Sequence, residues 1–181
     1  MTTPELSIQV RTFSQDDPGS WEFLLEQCEA ADHAGIDRIV VSDHVAYGED
    51  LEAYGDPKKG GSVGGKQPTD SDGNWLEPLT FLTAVGARTK NVRLGTAILI
   101  AALRRPVVLA KTLATMDVLT NGRIDLGIGV GWQKEEYDAA GLDFDARGRL
   151  LDLSMEVCRE LWTKQVANYD SPELRFERIH Q

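Results

Sequence analysis

Four times along this chain a short apolar run of strand length is followed by a segment of helical periodicity. That alternation limits the fold more than any other feature. In the first run, Leu6, Ile8 and Val10 alternate with Ser7, Gln9 and Arg11. Trp21, Leu24, Leu25, Cys28, Ala31 and Ala34 then recur at helical spacing, with Ser20 as a candidate cap and Gly35 as the stop. The second run, Ile36 to His44, holds Ile39, Val40 and Val41 in contiguity, as suits a parallel strand covered on both faces. A helix over Trp75 to Arg88, a strand over Val92 to Ile100 and a helix opened by Pro106 lead to a fourth strand beginning at Gly122. The order predicts a parallel sheet with right-handed crossovers, either an open wound sheet or part of a closed barrel. Four units in 181 residues are about half of a (β/α)8 barrel, whose usual size is ~250 residues.

The fourth strand is the most distinctive stretch. Ile124, Leu126, Ile128 and Val130 alternate with Gly127, Gly129 and Gly131, and a charged helix start follows at Lys134. Glycine lets another backbone or a flat ligand come close, so this strand end is a place to lay something planar. Helices are expected over Lys134 to Ala140 and Ala146 to Thr163, with an extended or irregular tail over 165–181. The segment 48–74 has seven glycines and three lysines without apolar periodicity, and is expected to be a mobile lid within a single domain spanning 1–181.

A formal charge of −10 argues against nucleic acid and anionic membrane surfaces as partners. No apolar run approaches the ~20 residues of a membrane helix, and the Met-Thr-Thr-Pro-Glu start lacks a secretory pattern, so the cytoplasm is the expected compartment. Cys28 and Cys158 fall on apolar stripes and are expected in the core. The three histidines, His33, His44 and His180, have no metal-ligand spacing, so no metal site is expected.

A Rossmann fingerprint fails because the third glycine would fall at Trp132 or Lys134. No Walker motif, Gly-x-Ser-x-Gly elbow or His-x-His pair occurs. Asp43-His44, at the end of the second strand, is the best acid–base candidate, because polar groups at that end of a parallel strand are where barrel chemistry sits. Glu135-Glu136 reads either as a carboxylate pair or, more simply, as acids favoured by the dipole of a helix start.

Val41-Ser-Asp-His44, Val92-Arg-Leu-Gly-Thr-Ala97, Gly122-Arg-Ile-Asp-Leu-Gly-Ile-Gly-Val-Gly-Trp-Gln-Lys-Glu-Glu-Tyr137 and Gly141-Leu-Asp-Phe-Asp-Ala-Arg-Gly-Arg149 together resemble the bacterial luciferase-like superfamily, closest to its coenzyme F-420-dependent oxidoreductases. The resemblance runs from about Ile8 to Ile179. It implies the N-terminal half of a (β/α)8 TIM-type barrel, truncated after about four units, that binds a deazaflavin, or alternatively FMN, at the C-terminal mouth of its strands. It also implies hydride transfer or monooxygenation on a small organic substrate. Carried over by position, Asp43 and His44 line the cofactor pocket and His44 handles the proton. Ala97-Ile98 takes the place of the family's non-prolyl cis peptide beneath the ring, and Gly129 and Gly131 leave room beside it.

Three positions depart from the sugar-phosphate dehydrogenases of that family. Trp132 replaces a catalytic carboxylate, Glu135 an asparagine and Ile100 a hydroxyl residue. An apolar substrate is therefore expected. A barrel cut at four strands also implies two free edges and an exposed apolar interior. Hence a homodimer is expected, and the competing reading is a non-catalytic half-barrel that binds flavin or a partner chain.

Overall fold

The computed structural model describes residues 4–59 and 61–181; position 60, inside the segment expected to be a lid, lies outside the described residues. Chain order is β1 (Ser7–Gln9), β2 (Phe13–Ser14), α1 (Glu22–His33), β3 (Arg38–Val41), β4 (Asn74–Trp75), α2 (Pro78–Arg88), β5 (Arg93–Ile100), α3 (Pro106–Leu119), β6 (Ile124–Gly129), α4 (Lys134–Ala139), α5 (Arg147–Thr163), β7 (Ala167–Asp170) and β8 (Arg175–Ile179). Strands β1, β3, β5 and β6 form one parallel sheet in that order, each joined to the next through a helix. This is the N-terminal half of a (β/α)8 barrel.

The sheet has two unlike faces because strand side chains alternate. Ile39, Val41, Leu94, Leu126 and Ile128 join Leu24, Leu82, Val85, Leu109, Leu113 and Val157 from the helices in one core. Gly86 lies within α2 where the helix meets the end of α3 and the sheet, since a Cβ there would stand 2.5 Å from Thr120 Cγ2 and 3.2 Å from Leu94 Cδ1. Cys28 and Cys158 are free and buried in this core, as their spacing implies.

The other face, which lines the barrel interior, corrects the expectation of exposed apolar surface. Its floor is ionic. Arg38 Nε lies 2.7 Å from Asp125 Oδ2, Arg93 lies 2.5 Å from Asp125 Oδ1, and Arg38 also reaches Glu5 at 3.3 Å. Gln9 Nε2 donates to Ser42 Oγ above them. The sequence signal was present, since Arg38, Arg93 and Asp125 all occupy the inward phase of their strands.

The tail is extended, one of the two forms expected of it. Residues 167–179 form an antiparallel hairpin, β7–β8, in which Tyr169 pairs with Phe176. Its short, mostly charged strands give weak alternation, which is why their pairing does not show in the sequence. Trp75 likewise lies in β4, stacked 4.2 Å from Phe13 of β2, rather than in a helix, and α2 opens at Pro78.

At the N-terminal end of the sheet the turn before β5 is clamped from both sides. Asp32 accepts the backbone N–H groups of Lys90, Asn91 and Val92. Arg123 donates to Thr89 Oγ1 and to the carbonyls of Gly86, Thr89, Val92 and Thr120. Burial pushes the Asp32 carboxyl up, but the three N–H donors outweigh it and hold the group below its ordinary range. The Arg93 hydrogen bond lowers Asp125 in the same way. A carboxyl that is more acidic in the fold than in the open chain contributes fully above the unfolded value of about 4, and its contribution drains away as pH falls through the lowered one. The thermal midpoint is therefore expected to hold between about pH 7 and 5 and to fall below about pH 4. Relief of the net negative charge opposes this, but it acts over distances that ~0.15 M salt screens. A midpoint unchanged down to about pH 3 would contradict the assignment.

Candidate active site

Parallel strands bring their C-terminal ends to one side, and there the loop after β3, the end of β5 and the glycine turn after β6 converge. They enclose a cavity of about 310 Å³ lined by Ser42, Asp43, His44, Tyr54, Ala97, Ile98, Ile100 and Gly129 to Trp132. The structure thus brings together all six residues singled out from the sequence: Asp43, His44, Ala97, Ile98, Gly129 and Gly131.

Asp43 is fully committed to the protein. Its Oδ2 accepts from the Ile100 N–H at 2.8 Å and from Arg104 at 2.6 Å, and its Oδ1 accepts from Arg104 at 3.1 Å. Arg104 also donates to Glu77 at 2.8 Å, and Glu77 caps α2 by accepting from the Thr80 N–H. One network, buried at Asp43 and reaching the surface at Glu77, therefore ties the ends of β3 and β5 to the start of α2.

His44 is almost buried and packed among aromatic rings, with centroids 4.4 Å from Tyr47, 5.0 Å from Trp75 and 5.9 Å from Trp132. Its Nδ1 lies 3.2 Å from Glu136 Oε2, off the line of a good hydrogen bond, and neither atom has another partner. Its Nε2 faces the Gln67 amide at 3.4 Å; that amide also donates to the Tyr47 hydroxyl. Burial is the main force pushing the Tyr47 phenol far above its ordinary pKa, reinforced by nearby Glu136, so it stays protonated.

The Ala97–Ile98 peptide is cis. Between Thr96 and Leu99 the pairing with β6 shifts register, and Ala97 and Ile98 are turned outward while their neighbours stay buried. The glycines of β6 answer this bulge. A Cβ on Gly127 would stand 2.3 Å from the Thr96 carbonyl, and one on Gly129 would stand 3.0 Å from Ile98 Cδ1. Gly131 has φ +70°, which favours glycine, beside Ile100. The sequence reading gave the bare strand to a ligand; in the structure much of that space receives β5, and Ile98 forms the floor.

Sequence reasoning missed Gln67 and Tyr54, and weighed Glu136 only as half of a carboxylate pair or as a dipole acid. Glu136 is in the first turn of α4, where a dipole explanation suffices locally. Its Oε1 instead accepts the N–H groups of Val45 and Ala46 across the cavity rim at 2.8 and 3.3 Å. Glu135 separates from it and packs against Gly48. Gln67 and Tyr54 come from the 48–74 segment, which carries short helical turns at 52–55 and 57–59. Tyr54 lies edge-on to Trp132 at 5.3 Å. No local pattern marks either residue.

A larger cleft of about 600 Å³ runs along the free edge of β6 between α3 and α5, with Leu113, Val118, Ile124, Leu161 and Trp162 in its walls. Of ionisable side chains it has only Lys111 and Asp117, and it lies where a further unit would continue the sheet. The smaller cavity, at the end of the strands where (β/α)8 barrels hold their active sites, is the candidate site. Among the described residues no cluster of ligand-type side chains suits a metal ion, and no helix is long and apolar enough to cross a membrane.

A parallel half-barrel, an outward cis bulge and a histidine thus meet at the strand mouth. The chain belongs to the luciferase-like monooxygenase family, whose model matches residues 6–181. An F420-dependent glucose-6-phosphate dehydrogenase of Segniliparus rotundus is 35% identical over 157 residues, covering 84% of this chain and 41% of that protein. An uncharacterized protein of Mycobacterium tuberculosis is 36% identical over 109 residues, 60% of this chain and 39% of its own. Among solved structures, a monooxygenase from Streptomyces bottropensis is 25% identical with a TM-score of 0.69, over 96% of this chain and 48% of that one. An F420-dependent secondary alcohol dehydrogenase shares the fold with a TM-score of 0.73 at 19% identity, over 99% of this chain and 48% of its own. The chain spans about two fifths of the length of the curated relatives it matches.

Proposed function

We propose that this chain carries the ring-binding and proton-handling half of a coenzyme F-420-dependent oxidoreductase acting on an apolar organic substrate. The observation that carries the reading is His44, buried and backed by Glu136, at the rim of a cavity floored by the Ala97–Ile98 bulge. The cofactor fits the residues present. The floor is flat and apolar, because Ile98 fills the space over Gly129, and protic groups stand only at the rim. A volume of about 310 Å³ is at the small end of the ~300–1,000 Å³ range for ligand sites, enough for a ring system and not for a long phosphate-bearing tail.

When bound, a deazaflavin supplies a ring carbon that gives or takes a hydride. The rest falls to the protein. Ala97, Ile98, Gly129 and Gly131 would support one face of the ring. Asp43 would act by fixing Ile100 and Arg104, so that the floor does not shift. His44 would move the proton that accompanies the hydride, and Trp132 and Tyr54 would exclude water. The apolar preference is supported by Trp132, Ile100 and Tyr54 in the lining, and the nearby Arg104 is already paired with Asp43 and Glu77. FMN with monooxygenation is the alternative at the same site.

The test is a titration of the purified chain with F-420 and FMN, followed by quenching of cofactor fluorescence. Saturable F-420 binding, weakened by Gly129→Val, is expected. Tighter FMN binding would favour the monooxygenase reading. Failure of both, with a stable dimer, would favour a half-barrel that binds a partner chain; the exposed Val118, Leu119 and Trp162 beside the free β6 edge support that second reading.

A further inference from the structure

The Glu136–His44 contact carries more than packing. Glu136 Oε1 is occupied by two backbone N–H groups, those of Val45 and Ala46, immediately after the histidine. Only Oε2 remains for the ring, and it has no partner but Nδ1, as Nδ1 has none but Oε2. A carboxylate accepts and does not donate, so a hydrogen on Nδ1 is the arrangement in which the two buried atoms attract. A hydrogen on Nε2 would instead leave two lone pairs facing each other. The far side of the ring agrees. The Gln67 amide nitrogen, which donates to Tyr47, points at Nε2 and suits a bare nitrogen there. Trp75 and Trp132 fill the remaining sides without an acceptor for the ring.

We propose that Glu136 is a positioning residue that holds the His44 proton on Nδ1 and leaves Nε2, the nitrogen that faces Gln67, as the basic one. An unrestrained neutral imidazole favours the opposite form, so the pairing inverts the default. Its catalytic meaning rests on the reading of His44 as the proton-handling group; the tautomer itself is a property of this chain with or without cofactor. Gln67 and Tyr47 then form the outer part of the same chain of hydrogen bonds, and a proton arriving at Nε2 requires the Gln67 amide to turn its oxygen inward.

The experiment is long-range proton–nitrogen correlation NMR on the chain labelled at histidine nitrogen, above the pH at which histidine is charged. His33 and His180 are exposed and serve as internal references, and His44→Asn assigns the third signal. His44 is expected to show the Nδ1–H pattern, opposite to the references. In Glu136→Gln the amide oxygen still accepts from Val45 and Ala46, but its NH2 donates to Nδ1, so the two nitrogen resonances of His44 should exchange positions. Gln67→Met should leave them in place. An Nε2–H pattern in the unmodified chain overturns the proposal even if Glu136→Gln fails to fold, and so does a tautomer that follows Gln67 instead of Glu136. The cofactor titration is independent of this result. Loss of F-420 binding with the Nδ1–H pattern intact counts against the proposed function alone.

Discussion

His44→Asn is expected to slow F-420-linked turnover by about 10²–10⁴-fold, the usual contribution of a general acid–base group, while F-420 affinity changes by no more than a few-fold. The split follows from the site. The ring of His44 is nearly buried at the cavity rim, so truncating it to an amide removes a proton carrier but leaves the Ile98 floor, the glycine turn and the Asp43–Arg104–Glu77 network standing. Asparagine keeps polarity and much of the volume, which limits collapse of Tyr47, Trp75 and Trp132 onto the gap. The measurement is deazaflavin absorbance with the best of a panel of small apolar alcohols and ketones, together with the binding titration. Undiminished turnover would remove His44 from the chemistry. Equal losses in binding and turnover would make it a wall of the pocket.

The second large effect is on stability. Arg123→Met is expected to cost about 3–5 kcal/mol, as when one partner of a buried polar network is removed. Methionine matches the length of the stem, so the loss is one of hydrogen bonds. Five acceptors, among them four backbone carbonyls, would lose their donor in a place where water does not readily enter. Burial pushes the guanidinium pKa down and Asp32 opposes it, so the charge is held by the same turn that it organises. A domain of this size has only ~5–15 kcal/mol to lose, so the urea midpoint should drop steeply. A change under about 1 kcal/mol would mean that the turn before β5 relaxes and finds other partners.

The four βα units were legible because their signals are local. Contiguous Ile39-Val40-Val41, the stop at Gly35 and Pro106 at a helix start each report on a neighbourhood of a few residues. The convergence of Asp43-His44, Ala97-Ile98 and Gly129–Gly131 followed once the sheet was parallel, since strand ends then share a side. What stayed hidden depends on contacts between distant segments. Glu136 looks satisfied by its own helix, and nothing near it in sequence says that it reaches Val45 and Ala46. Gln67 sits in a glycine-rich stretch whose pattern predicts only a loop. The polar interior stayed hidden because Arg38, Arg93 and Asp125 lie on three different strands, and strand register is what brings them side by side. That the extended tail pairs with itself as the β7–β8 hairpin was not legible, because its strands bury little.

The ionic floor has a consequence for how such a chain is made. Translation delivers the N-terminal units first, at ~5–20 residues per second, so the first four strands of any longer barrel wait in water before later ones arrive. With apolar surface on both sides of the sheet, that wait would expose a sticky, half-closed trough. Here the apolar side chains point to the helices and complete their core within these units, while the trough is lined near its base by solvated Arg38, Arg93 and Asp125. Four units arranged this way keep the base of the trough hydrated during synthesis, while the apolar cleft along the free β6 edge stays open for the units that follow.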